Sequence, residues 1–309
     1  MTAARTAPAA RTVRTVLGDI DPADLGVCNS HDHLFLGSPL LPGQELDDPA
    51  AATAELHAFA RLGGRAVVQW TPHGLGRGGP ELAAISRVTG VHLVAATGLH
   101  RAAHYGSDAL PDALTQLFVA ELTTGLRGTD ATAGVRAGLI KVAGDYHGLE
   151  PRTRRVMTAA AEAYHETGAP IAVHHELGTA ALDVLDLLCG GLDVPPDRVI
   201  LGHLNRFPDT RLLRAAAASG AFLALDGPSL ANHATDHRLF DAIGTLAEAG
   251  HGARLLLGGD TTTRAARGTP GMPFLLTGLA TRITREFGAD LTHQLLTSNP
   301  SRAFAAAWP

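Results

Sequence analysis

Eight short apolar runs recur along the chain, each bounded by turn residues: VCNSHDH (27–33), RAVVQWTP (65–72), HLVAATGLH (92–100), AGLIKVAG (137–144), PIAVHHE (170–176), VILGHLN (199–205), FLALDGP (222–228) and RLLLGGDT (254–261). Between them lie alanine- and leucine-rich stretches with helical spacing, at about 47–62, 79–89, 108–127, 151–167, 179–189, 209–219 and 235–249. Near-continuous apolar strands alternating with helices pair in parallel, with both faces of the sheet covered. Eight such units in 309 residues predict an α/β fold closed into a single (β/α)8 TIM barrel. An open doubly wound sheet would instead carry a glycine-rich phosphate loop after its first strand. Here that strand ends in histidines. Residues 1–13 read as a flexible N-terminal tail and 14–309 as the barrel. A short hairpin is expected within 14–26, and closing helices at 270–287 and 290–307.

The chemistry of this barrel is bounded by its charge. A formal net charge of −5 gives no basic footprint for nucleic acid or for an anionic membrane surface. No apolar run approaches the roughly 18–20 residues that span a bilayer, and the first residues lack the apolar stretch of a signal peptide. Two cysteines, Cys28 and Cys189, build no disulfide framework. A cytoplasmic protein acting on a small-molecule substrate is therefore expected.

Lysine plus arginine total 25, and the only lysine is Lys141. In a chain so biased toward arginine, the exception asks for chemistry that a guanidinium cannot do. A buried amine deprotonates and becomes a nucleophile. Lys141 lies in GLIKVAG, where an unpaired ammonium would be costly to bury. It reads as a structural ion pair, a Schiff-base amine, or a lysine carboxylated by carbon dioxide whose two oxygens bridge two cations.

Barrel enzymes hold their sites at the C-terminal ends of the strands. Those ends carry His31, Asp32 and His33, then Lys141, His174 and His175, His203, and Asp260. Residues two apart in a strand share a face, so His31 and His33 can grip one ion while Asp32 points the other way as a scaffold residue. Of the adjacent His174 and His175, only one can face the interior. Histidines on several strand ends favour the carboxylated bridge over the Schiff base. Asp226, at the seventh strand's end, is placed to orient a ligating histidine.

From TVLGDIDPADLGVCNSHDHL through LIKVAG, GAPIAVHH, VILGHLN and LLLGGD to TSNPSRAF, the chain resembles the phosphotriesterase-like branch of the amidohydrolase superfamily. The resemblance implies two divalent metal ions, zinc by default, with manganese, cobalt or iron fitting similar ligands. It implies that His31, His33 and Asp260 hold the more buried ion and His174 and His203 the more exposed one. Carboxylated Lys141 would bridge the two ions together with a hydroxide, and Asp260 would accept the hydroxide proton. Homodimers are common in that family.

Lactonases of the branch that open acyl-homoserine lactones place an arginine after the aspartate of the seventh strand, where this chain has Gly227. They also carry tyrosines after the third strand, where His100, Arg101, His104 and Tyr105 stand instead. Trp70 is the one aromatic residue available at a strand end for a paraoxon-type pocket. Arg101, Asn205, Arg206, Arg264 and Arg267 occupy expected loops at the mouth. An anionic or polyhydroxylated substrate follows if they converge, such as a sugar lactone or its phosphorylated form. Substrate contacts are expected from Trp70, His100, Arg101, Tyr105, Arg206 and Arg264. Lactone or carboxylic-ester hydrolysis ranks first, with phosphotriesters or cyclic amides as alternative substrates. A metal-binding barrel without catalysis is the alternative of a different class.

Overall fold

The computed structural model describes residues 10–128, 134–231 and 233–309. Of the expected tail, residues 1–9 lie outside this set, and the first strand, β1 (Thr12–Thr15), starts inside the remainder. Val13 is fully buried there, and Arg14 reaches across the hairpin to Asp19 at 2.8 Å. β1 pairs antiparallel with β2 (Gly18–Ile20) on one side and with the chain end, Ala305–Ala306, on the other. The last residues of the expected 290–307 helix therefore form a strand. A helix there would leave the outer edge of β1 unpaired.

The barrel consists of β3 (Cys28–Asp32), β4 (Ala66–Gln69), β5 (His92–Thr97), β6 (Ala137–Ala143), β7 (Ile171–His174), β8 (Val199–Gly202), β9 (Phe222–Asp226) and β10 (Leu255–Gly258). Neighbours in sequence are neighbours in space, and every pairing is parallel. The cylinder closes where the Gly259 and Asp260 amides donate to the His31 carbonyl at 2.8 and 3.1 Å. A side chain on Gly258 would collide with the backbone of His31, so the seam needs glycine at that point.

Strand parity sorts the apolar residues into two shells. Cys28, Val68, Trp70, Val94, Leu139, Ile200 and Leu256 fill the cylinder, and Val13, Leu25 and Phe304 plug its floor. Val67, Leu93, Ala95, Ile140 and Leu223 face outward against the helices. Lys141 shares its parity with Leu139 and so points inward, one step nearer the mouth.

Helices follow most strands, as at Pro49–Arg61, Gly79–Thr89, Pro151–Thr167, Thr210–Ala218 and Leu239–Glu248. Asp48 and Asp209 cap two of them by accepting from backbone amides of the first turn. The helix expected at 108–127 is shorter, Leu114–Thr123, and Gly125 at φ +153 lies just beyond it. Among the described residues no helix is long and apolar enough to cross a membrane.

Candidate metal centre

The mouth collects the strand-end residues into one buried cluster. His31, His203 and Asp260 each offer a ligand atom within 4.8 Å of the others. Asp260 divides its carboxylate between two tasks. Its Oδ1 lies 3.3 Å from His31 Nε2 and 3.4 Å from His33 Nε2. Its Oδ2 accepts a hydrogen bond from the Arg206 guanidinium.

Each imidazole is oriented through one of its ring nitrogens. His33 Nδ1 meets Thr71 Oγ1 at 2.7 Å, and His203 Nδ1 meets Asp226 Oδ2 at 2.6 Å. His31 Nδ1 faces Asp226 Oδ1 at 3.3 Å. His174 Nε2 meets Glu176 Oε2 at 3.2 Å, which leaves Nδ1 for the centre. Partners of this kind fix the tautomer and aim of a ligating histidine. The His174 and His203 rings are 4.5 Å apart, and the His31 and His203 rings 4.9 Å.

Burial pushes His33, His174 and His203 below the ordinary histidine range, so these rings are neutral donors. Burial alone would raise the Asp226 and Asp260 carboxyls. His203 and Arg206 at Asp226, and Arg206, His31 and His203 at Asp260, outweigh it and hold both below the usual carboxylate range. Lys141 is 1% exposed, and burial drops its amine to about 7 against the opposing pull of Asp260. Gly98 lets β5 approach here, since a side chain at that residue would strike the Lys141 backbone.

The backbone is strained where His203 and Asp260 emerge. His203 has φ +66 and Asp260 φ +49, left-handed values that non-glycine residues rarely adopt. Leu177 and Ala180, in the loop after β7, share that region. Such strain persists where surrounding structure enforces it, commonly at functional sites.

The donor set suits a cation. Neutral imidazoles and a carboxylate are the ligands of zinc and related ions. Two buried atoms, His31 Nδ1 and Asp226 Oδ1, have only each other, at 3.3 Å, so the packing is that of a polar cluster with spare capacity.

Several expected substrate contacts lie elsewhere. Trp70 is fully buried and stacks on His31 at 3.8 Å, with Nε1 donating to the Ser30 carbonyl. It backs His31 instead of lining a pocket. Arg206 points down onto Asp226 at 3.0 Å and onto Asp260, not outward at the rim. Arg264 is 58% exposed and pairs with Asp47 at 2.9 Å, and Arg267 reaches the Leu34 carbonyl and Glu55. The Tyr105 hydroxyl is spent on the backbone, donating to the His73 carbonyl and accepting from the His100 amide. Asn205 braces the Asp226 backbone at 3.1 Å on both sides.

His100 and Arg101 stay beside the centre. The His100 ring lies 4.6 Å from that of His174, and Arg101 pairs with Glu176 at 2.5 Å. Asp32 accepts from Asn29 and from the His33 and Thr261 amides, and His175 is buried on the Thr179 carbonyl.

Glu176 escaped the sequence reading. It stands two residues after His174, at the start of the turn that follows the strand, and that nearness was its available signal.

The phosphotriesterase family model matches residues 11–304. A phosphotriesterase homology protein of Mycobacterium tuberculosis is 32% identical over 269 residues, covering 80% of this chain and 80% of that protein. A phospho-furanose lactonase of Mycoplasmopsis agalactiae is 30% identical over 248 residues, covering 74% of this chain and 70% of that one. The crystal structure of a lactonase from Listeria monocytogenes superposes with a TM-score of 0.87 at 28% identity, covering 95% of this chain and 98% of the other.

Proposed function

The chain belongs to the phosphotriesterase family and is a metal-dependent hydrolase, and from that premise we propose that it opens lactones, phosphorylated sugar lactones foremost, at a binuclear centre. His31, His33 and Asp260 Oδ1 would hold one ion and His174 and His203 the other. Carboxylated Lys141 would lie between them. The observation that carries this reading is the division of the Asp260 carboxylate, one oxygen facing two imidazoles and the other fixed by Arg206.

When bound, two divalent ions make a shared water acidic and polarise the substrate carbonyl. The chain's own groups prepare that chemistry. A Lys141 amine at about 7 is partly neutral near neutral pH, the form that adds to carbon dioxide. Arg206 holds Asp260 in one orientation, and Asp226 and Glu176 hold His203 and His174. Asp260 would take the proton from the attacking water and pass it toward the departing alkoxide. Arg101, 30% exposed, pairs with Glu176 beside His174 and would meet an anionic substituent of the substrate. The name of the Mycoplasmopsis relative supports a phosphorylated sugar lactone as that substrate. Zinc is the default ion for this donor set.

A panel of sugar lactones, phosphorylated sugar lactones, carboxylic esters, cyclic amides and paraoxon, assayed with zinc, manganese and cobalt forms, tests the reading. Highest kcat/KM on phosphorylated lactones is expected. A preference for cyclic amides or phosphotriesters would replace it.

A further inference from the structure

The floor of the barrel, opposite the imidazoles, carries a cavity of about 390 Å³ whose lining includes Arg11, Arg198, Arg254 and Arg302. Asp197 is the one carboxylate among its lining residues, so three positive charges stand uncompensated there in a chain of net charge −5. Two of the guanidiniums knit the chain end. Arg198 donates to the Ala305 carbonyl at 2.7 Å, and Arg302 to the Ala253 carbonyl at 2.7 Å. The other two have no such task. Arg254 lies over the Phe222 ring at 5.1 Å, and neither Arg11 nor Arg254 has an acidic partner among the described residues. Arg198 is 5% exposed, yet its Nε has no hydrogen-bond partner although the residue lines the cavity. Four guanidiniums gathered around one carboxylate, Asp197, which meets Arg198 at 3.4 Å, cost stability, and a buried N–H donor left unused adds to that cost.

We infer that this cavity is a second ligand site, one that takes a phosphate-class dianion. Guanidinium groups present flat forks of donors that match tetrahedral oxyanions in pairs of hydrogen bonds. The Phe222 face is already covered by Arg254, so the site recognises a phosphate group and leaves no ring to stack a base. β8, β9 and β10 run from this floor to His203, Asp226 and Asp260, so the anion would lie beneath the strands that deliver those residues.

Inorganic phosphate is the probe, titrated into the metal-loaded protein at ionic strength held constant with chloride. The wild type is expected to gain about 2 °C or more in Tm, since a ligand that binds only the folded state stabilises it. Arg254→Ala should weaken phosphate binding about tenfold or more, and Arg11→Ala, at an exposed position, should weaken it less. Both variants keep the mouth intact, so phosphate held there contributes equally to all three proteins. Equal phosphate shifts in the wild type and both variants, or no shift in the wild type, overturn the site. If Arg254→Ala fails to fold, Arg11→Ala decides the matter by the same readout.

Discussion

Two buried clusters join a guanidinium to carboxylate, and they are built differently. At the outer cluster, Glu121 accepts from Arg77 at 2.8 and 2.6 Å, from His73 at 2.9 Å, from Thr97 at 2.7 Å and from the Arg127 amide at 2.8 Å. The carboxylate is saturated. At the mouth, Arg206 joins Asp226 and Asp260, but Asp226 Oδ1 and His31 Nδ1 have only each other at 3.3 Å, and Asp260 Oδ1 faces two imidazole nitrogens at 3.3 and 3.4 Å. A saturated carboxylate locks a scaffold, whereas carboxylates with loosely held oxygens are ready for something else. Equal burial therefore does not mean equal purpose.

Substitutions on the two sides should separate function from stability. The largest effect is expected from Lys141→Ala, with hydrolysis falling about 1,000-fold or more and bound metal lost. Metal-free Tm should hold or rise, because a desolvated amine has been removed. Short carboxylic acids should restore part of the activity if the lysine is carboxylated, whereas restoration by short amines would point to a Schiff base.

Glu121→Gln should do the reverse. It leaves Arg77 short of its counter-charge and should lower stability by about 3–5 kcal/mol in denaturant titration, with metal stoichiometry unchanged in the folded fraction. Its acid response supplies a second check. Burial would raise the Glu121 carboxyl, but Arg77, His73 and Thr97 bring it down to about 2. A group depressed on folding stabilises above its unfolded value, about 4.3, and loses that contribution as pH falls toward 2. Acid unfolding over that window should be shallower in Glu121→Gln than in the wild type. The smallest effect is expected from Asp226→Asn, about 10- to 100-fold in metal affinity, since it loosens His203 without removing a ligand.

The same contrast marks what could be read from the sequence. The eight apolar runs contain the eight strands, because the interior and exterior shells of a parallel barrel are both apolar and leave a continuous pattern. The strand-end residues were legible by position, and parity fixes the direction of Lys141, His174 and Asp226, whereas a register shift between Asn29 and Asp32 and a left-handed backbone at His203 break the alternation at the other histidines. Loop residues have no such rule. Arg206, three residues past the strand-ending His203, turned inward to two carboxylates, and Arg264 turned to Asp47 on the surface. Trp70 also lies beyond its strand, yet it is fully buried behind His31, where position alone suggested a rim. The Arg77–Glu121 pair joins residues 44 apart that no short motif links. The closing strand at Ala305–Ala306 depends on a partner at the other end of the chain.

Metal content per chain, measured by mass spectrometry after loading with zinc and desalting, tests the central claim most directly. Two equivalents are expected in the wild type, with at least one lost in Asp260→Asn. Wild-type protein that retains none, or Asp260→Asn that retains as much as the wild type, would contradict the account.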